Sequence, residues 1–100
     1  MARGIGSYTL SRKADADVQD IAEESVKRWG LARAEQYILA LHEAFERLAK
    51  FPNLGRDASE IRPGYLRMES GSHSVFYRKT KSGVLIVRVL HERMDFKRHL

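Results

Sequence analysis

Val84-Leu85-Ile86-Val87-Arg88-Val89-Leu90-His91 is the stretch whose reading decides the fold. Its apolar residues do not alternate with polar ones, as they would in a half-exposed strand. Such a run forms an interior strand, covered on both faces. Arg88 interrupts it, and an arginine there requires a partner or an open face. His91 closes the run, and Glu92-Arg93-Met94-Asp95 leads into the tail.

Upstream lie two more strand candidates, over residues 65–70 and 73–79. Gly71-Ser72 and Lys81-Ser82-Gly83 supply hairpin-length turns, so the three strands form a meander. Alternation puts Tyr65, Arg67 and Glu69 on one face of their strand. It puts Tyr77 on the opposite face from Phe76 and Arg78. An irregular polar connection, opened by Phe51-Pro52-Asn53-Leu54-Gly55-Arg56 and closed by Pro63-Gly64, precedes the meander.

Two helices come before that connection. Ala14, Val18, Ile21, Ala22, Ser25 and Trp29 recur at three- and four-residue steps and mark one apolar face. Ser11 is placed to cap this helix and Gly30 to end it. Asp15, Asp17 and Asp20 suit its start, and Lys27 and Arg28 its end, by the helix dipole. Trp29 closes the stripe and is expected to be largely buried. Leu31, Ala34, Ile38, Leu41, Phe45 and Leu48 mark a second helix, widened by Tyr37, Ala44 and Phe51 and stopped by Pro52. So short a link folds the helices back as an antiparallel hairpin. Tyr8-Thr9-Leu10-Ser11 is a first strand, placed outside the last one. Residues 95–100 form one final helical turn. The expected fold is α+β, in the order β-α-α-β-β-β. A helix hairpin packs on one face of a mostly antiparallel sheet. Residues 1–100 read as a single domain, without repeats.

The 43% hydrophobic and 31% charged content fits an ordinary globular protein, and no run approaches the roughly 20 apolar residues of a membrane span. Residues 1–6 lack a signal-peptide layout, and cysteine is absent, which excludes disulfides; the expected location is the cytoplasm. The net charge of +5 suits an acidic partner, either nucleic acid or an acidic protein segment, although solubility alone also accounts for it.

No metal site or cofactor is expected. His42, His73, His91 and His99 show no close ligand spacing, and Asp95 stands where His91-Glu92 would need a second histidine. Gly4-Ile5-Gly6 neither follows a strand nor opens a helix, and no serine sits in a nucleophile elbow. What remains is Arg67, Arg78, Arg88 and His91 on the sheet, with Tyr65 and Tyr77. One face of the sheet must pack on the helices, so some of these groups point to the other, open face, where they can bind phosphates and bases or serve as acid/base and charge stabiliser in RNA cleavage. The plainer reading is a solvated face with pairs among Arg67, Glu69 and Arg78.

The ordered motifs resemble the ParE/RelE toxin superfamily of bacterial toxin–antitoxin operons. They are Ser11-Arg12-Lys13-Ala14 leading to Asp20-Ile21, Arg28-Trp29-Gly30, Phe51-Pro52-Asn53-Leu54-Gly55-Arg56, Arg62-Pro63-Gly64-Tyr65-Leu66-Arg67, Val75-Phe76-Tyr77-Arg78 and Ile86-Val87-Arg88-Val89-Leu90-His91. The resemblance covers nearly the whole chain and favours the ParE branch. It implies a toxin that inhibits DNA gyrase and blocks replication without a catalytic centre of its own. It also implies neutralisation by a ParD-like ribbon-helix-helix antitoxin, through which alone operator DNA is bound. Target-binding candidates are then Arg67, Arg78, Arg88, Arg93, Lys97 and Arg98. The alternative is a RelE-like ribosome-dependent mRNA endonuclease using Arg67, Arg78 and His91, although residues 94–100 lack the tyrosine common in that branch. A non-toxic binding module on the same fold is the third reading.

Overall fold

A computed structural model describes residues 7–100. Residues 1–6, including the Gly4-Ile5-Gly6 stretch, lie outside the described residues. The elements are β1 (Ser7–Leu10), α1 (Arg12–Trp29), α2 (Leu31–Lys50), β2 (Arg56–Asp57), β3 (Leu66–Ser70), β4 (His73–Lys79), β5 (Gly83–His91) and α3 (Phe96–His99). The sheet order is β1-β5-β4-β3-β2. β1 runs parallel to β5, and every other pairing is antiparallel. The α+β hairpin-on-sheet arrangement is as the sequence indicates, with β1 outside the interior β5. The structure adds β2, a two-residue edge strand pairing Arg56 with Arg67. Two residues are too few to show a period of two, so the sequence gives no sign of it.

Local chemistry sets the helix ends. Ser11 Oγ accepts the Ala14 N–H at 3.0 Å and caps α1. Gly30, at φ +88°, donates its N–H to Val26 and lets the chain reverse directly into α2. The hairpin then presents Ala14, Val18, Ile21, Leu41, Phe45 and Leu48 to the sheet. Val75 and Tyr77 of β4 and Val84, Ile86 and Val89 of β5 meet them.

The opposite face of the sheet is not open, contrary to the expectation for the basic group, and is covered as the apolar run over residues 84–91 indicates. Ala58, Phe76 and Leu90 form a second buried cluster there, closed by Ile61, Tyr65, Phe96 and Leu100. The 51–64 connection and α3 therefore act as a lid over that face. Gly55 is required in the connection: a Cβ there would meet the Tyr77 hydroxyl at 2.5 Å and the Arg67 carbonyl at 2.7 Å. The Tyr77 hydroxyl accepts the Gly55 N–H and donates to the Pro52 carbonyl, fixing the turn from the core outward.

A register shift decides where Arg88 goes. Phe76 pairs with Arg88 but Tyr77 pairs with Ile86, leaving Val87 as an extra residue on β5. Simple alternation from Val84 and Ile86 would send Arg88 into the hairpin core. The bulge instead turns Val89 inward and Arg88 away. There Arg88 Nε and Nη2 form 2.8 Å bonds to the two carboxylate oxygens of Asp17, and Nη1 donates to the His99 carbonyl. Asp17 also accepts the Val89 N–H at 2.9 Å, and Ser11 Oγ donates to the Val87 carbonyl at 2.7 Å. β1 pairs β5 only as far as Ile86, so these side chains satisfy the edge of β5 that β1 leaves unpaired.

The side chains of Arg88 and Asp17 are 15% and 13% exposed, so removing one strands the other in a poorly solvated place. Asp17→Ala should therefore destabilise the fold by about 3 kcal/mol in urea unfolding. An Asp17→Leu/Arg88→Met double variant should regain part of that loss. A loss below about 1 kcal/mol for Asp17→Ala would show that the β5 edge is satisfied without the pair.

Candidate functional site

Three surfaces among the described residues bear on function. The first is an apolar groove along the outer side of the hairpin, of about 380 Å³, lined by Ala22, Val26, Leu31, Ala34, Ile38 and Leu39 with Glu35 and His42 at its margin. Leu31 and Leu39 are 64% and 59% exposed there. Each helix needs a wide apolar face, and the sheet covers only one side of the pair. The remaining stripe is what lines this groove.

The second is a cavity of about 260 Å³ between the hairpin and the near end of the sheet, with Ile21, Trp29, Tyr37, Ser72, His73 and His91 on its walls and Asp20, Glu24 and Arg28 at its rim. Trp29 is 40% exposed, correcting the expectation that it is buried. It is the last residue of α1, where the hairpin overhangs the sheet, so its ring packs on Tyr37 at 5.5 Å and under the Arg33 guanidinium at 5.7 Å. Strand register brings His73 opposite His91, with ring centroids 5.2 Å apart, edge to face. The Tyr37 hydroxyl lies 2.6 Å from His73 Nδ1 and accepts the Ser72 N–H. The Arg93 N–H donates to His91 Nδ1, which leaves the proton of the neutral ring on Nε2. That tautomer is unsuited to binding a metal through Nε2. Among the described residues no three His, Cys, Asp or Glu side chains cluster as a metal site.

The third is a cleft of about 460 Å³ where Arg12 and Lys13 of α1, Arg62, and Arg98 and His99 of α3 converge around Tyr65.

The sequence-derived candidates do not form one cluster. Arg67 sits in β3 with Nε 3.2 Å from Glu69 Oε2 and its guanidinium 5.2 Å from the Phe96 ring. That Nε is buried and poorly aligned for a hydrogen bond, so the contact is mainly coulombic. Glu69 is shared with Arg56 at 3.4 Å and Ser74 at 3.1 Å. Arg78 is exposed at the far end of β4, paired with Leu85, whereas His91 faces His73 at the opposite end. Five strand residues separate the two rows, roughly 17 Å. Arg88 is engaged by Asp17, while Arg93, Lys97 and Arg98 are exposed on the tail. Sequence reasoning missed His73 and Tyr37 as neighbours of His91, and it missed Arg12, Lys13 and Arg62 as neighbours of Arg98. Only tertiary register joins them, and no periodic pattern reports it.

A helix hairpin on a mixed sheet, with an apolar groove and cationic surfaces, defines a class of small α+β proteins. The family model described as "ParE toxin of type II toxin-antitoxin system, parDE" matches residues 8–96. The chain belongs to this ParE toxin family. It is 47% identical over 94 residues to Toxin ParE1 of Mycobacterium tuberculosis, covering 93% of this chain and 96% of the relative. Toxin ParE1 of Caulobacter vibrioides is 44% identical over 93 residues, with the same coverage. Toxin ParE of Escherichia coli is 34% identical over 96 residues, covering 94% of this chain and 92% of that toxin. A solved structure titled "Chromosomal ParDE TA system from P. aeruginosa" superposes with a TM-score of 0.75 at 22% identity, over 87% of this chain and 96% of the other. That likeness shows the fold.

Burial lowers the His73 pKa below its ordinary value of 6.5, and the nearby His91 adds to this, against opposing attraction from Asp17 and Glu92. The neutral ring is thus favoured by folding. Its contribution to stability is full above pH 6.5 and is lost as pH falls toward the depressed native value. The melting temperature should drop between pH 7 and pH 5, and His73→Gln should flatten that drop. An equal slope in both proteins would place the acid sensitivity elsewhere.

Proposed function

We propose that the chain, a single toxin domain over residues 1–100, acts in the cytoplasm as a gyrase inhibitor. It blocks replication by binding and is neutralised by a ParD-like ribbon-helix-helix antitoxin. The match to the ParE family over residues 8–96 carries this reading. The surfaces support it in two ways. The hairpin groove has the apolar lining that an amphipathic antitoxin helix requires. The net charge of +5 would steer an acidic antitoxin segment toward the toxin. Operator DNA would be bound through the antitoxin. Target contact falls to the exposed cations Arg78, Arg93, Lys97 and Arg98, since Arg67 and Arg88 are held within the fold.

The distribution of the nuclease candidates favours binding over catalysis. General acid/base chemistry needs its groups within hydrogen-bond reach of one reacting centre. Arg78 lies a strand length from His91, and His91 Nδ1 is occupied by a backbone N–H.

Induced alone in a bacterial host, the protein should arrest growth, cause filamentation and raise a DNA-damage response while mRNA stays intact. His91→Gln should remain toxic. Codon-dependent mRNA cleavage without DNA damage, abolished in His91→Gln, would establish the endonuclease instead.

Leu39 is an exposed groove residue, so Leu39→Asp should leave folding and toxicity intact. It should weaken antitoxin binding on the order of 30-fold, the effect of losing one central apolar anchor. Unchanged antitoxin affinity in titration calorimetry would place the antitoxin on another face.

A further inference from the structure

We propose that the cleft bounded by the first turn of α1, Arg62 and α3 binds the phosphodiester backbone of DNA. The cleft joins Arg12, Lys13, Arg62 and Arg98, and no Asp or Glu side chain lines it. Arg62 donates to the main-chain oxygen of Leu100, which leaves part of its guanidinium available. Arg12, Lys13 and Arg98 are exposed, and among the described residues none of them forms an ion pair. Arg28, Arg56, Arg67 and Arg88 each have a carboxylate partner. Four cations without an Asp or Glu partner among the described residues thus meet where three separate segments converge.

Their placement opposes local preference. Arg12 and Lys13 open α1, where the helix dipole disfavours cations and only Asp15 offsets them. A residue choice that works against its own helix is best explained by a demand from outside it. The Asp17 carboxylate, which would otherwise attract these cations, is occupied by Arg88 and the Val89 N–H.

The lining selects among anions. An acidic protein segment needs apolar anchors as well as charge. Among the described residues the large exposed apolar side chains are Val26, Trp29, Leu31, Leu39, Phe51, Leu54 and Met94, and none of them lines this cleft. A phosphate backbone asks only for cationic and N–H donors, with guanidinium groups suited to paired bonds to phosphate oxygens. Sequence is read through base edges, which this surface is not shaped to enter, so binding is sequence-independent. The proposal rests on the gyrase reading only for its setting: there the toxin would touch the DNA that gyrase holds as well as the enzyme.

The test is fluorescence anisotropy of a labelled 30-base-pair duplex titrated with the toxin, without gyrase. Engaging three phosphates predicts an affinity loss of about 40-fold between 50 and 200 mM salt. An Arg12→Gln/Lys13→Gln/Arg98→Gln variant should fold normally, with unchanged circular dichroism, and should lose most of the affinity and of the salt dependence. Wild type and variant binding DNA equally, or wild type not binding at 50 mM salt, would overturn the proposal. So would tenfold tighter binding to single-stranded RNA of the same length, or a variant that keeps DNA binding but loses the antitoxin. Supercoiling assays run alongside separate the two readings. Cation-dependent DNA binding without gyrase inhibition would sink the gyrase reading and leave the cleft assignment standing.

Discussion

The Asp17 carboxylate, with Arg88 and the Val89 N–H on it, is the contact on which the rest of the structure depends. β1 is too short to cover β5, and the exposed edge would leave main-chain groups open to another strand. A side chain from α1 takes the place of the absent strand. The same carboxylate neutralises the one charged residue of the interior strand. Helix, sheet edge and tail are thereby tied at one point, since Arg88 also holds the His99 carbonyl of α3. The carboxylate hydrogen bond keeps the guanidinium charged, raising the Arg88 pKa above its ordinary value against the opposing effect of burial.

The bulge at Val87 makes that contact possible. It lets β5 bury Val84, Ile86 and Val89 against the hairpin while Arg88 and Leu90 serve the other side. The sheet consequently has two cores of unequal size. The larger gives the domain its stability; the smaller fixes the 51–64 connection and α3. Arg67, Phe76 and Phe96 stack within it, so this face is a packed layer with a cationic margin.

Function then follows from what is left over. Charges inside the fold are paired, and the unpaired ones are displaced to the rim. Part of the apolar surplus, Val26, Leu31 and Leu39, lies in the groove on the outer side of the hairpin. A protein so divided presents an apolar groove on one side and a cationic cleft on another. The Tyr37 hydroxyl, bonded to His73 and to the Ser72 N–H, holds the β3–β4 turn to α2.

By itself the sequence determined the elements and their order. Unbroken apolar runs, three- and four-residue helical steps, Ser11, Gly30 and Pro52 act over a few neighbours, and short-range physics is legible in one dimension. The ordered motifs also carried the family. Tertiary structure alone decided the partners. The residue read as a dipole-favoured acid, Asp17, became the keystone through a bond 71 residues away. Trp29 moved from expected core to cavity wall because the hairpin ends beyond the sheet, a matter of geometry that residue type does not encode. Arg67, Arg78 and His91 were dispersed, and Arg12, Lys13, Arg62 and Arg98 were gathered, by strand register and by one extra residue in β5. Such contacts arise from closing the chain on itself, so no local pattern announces them.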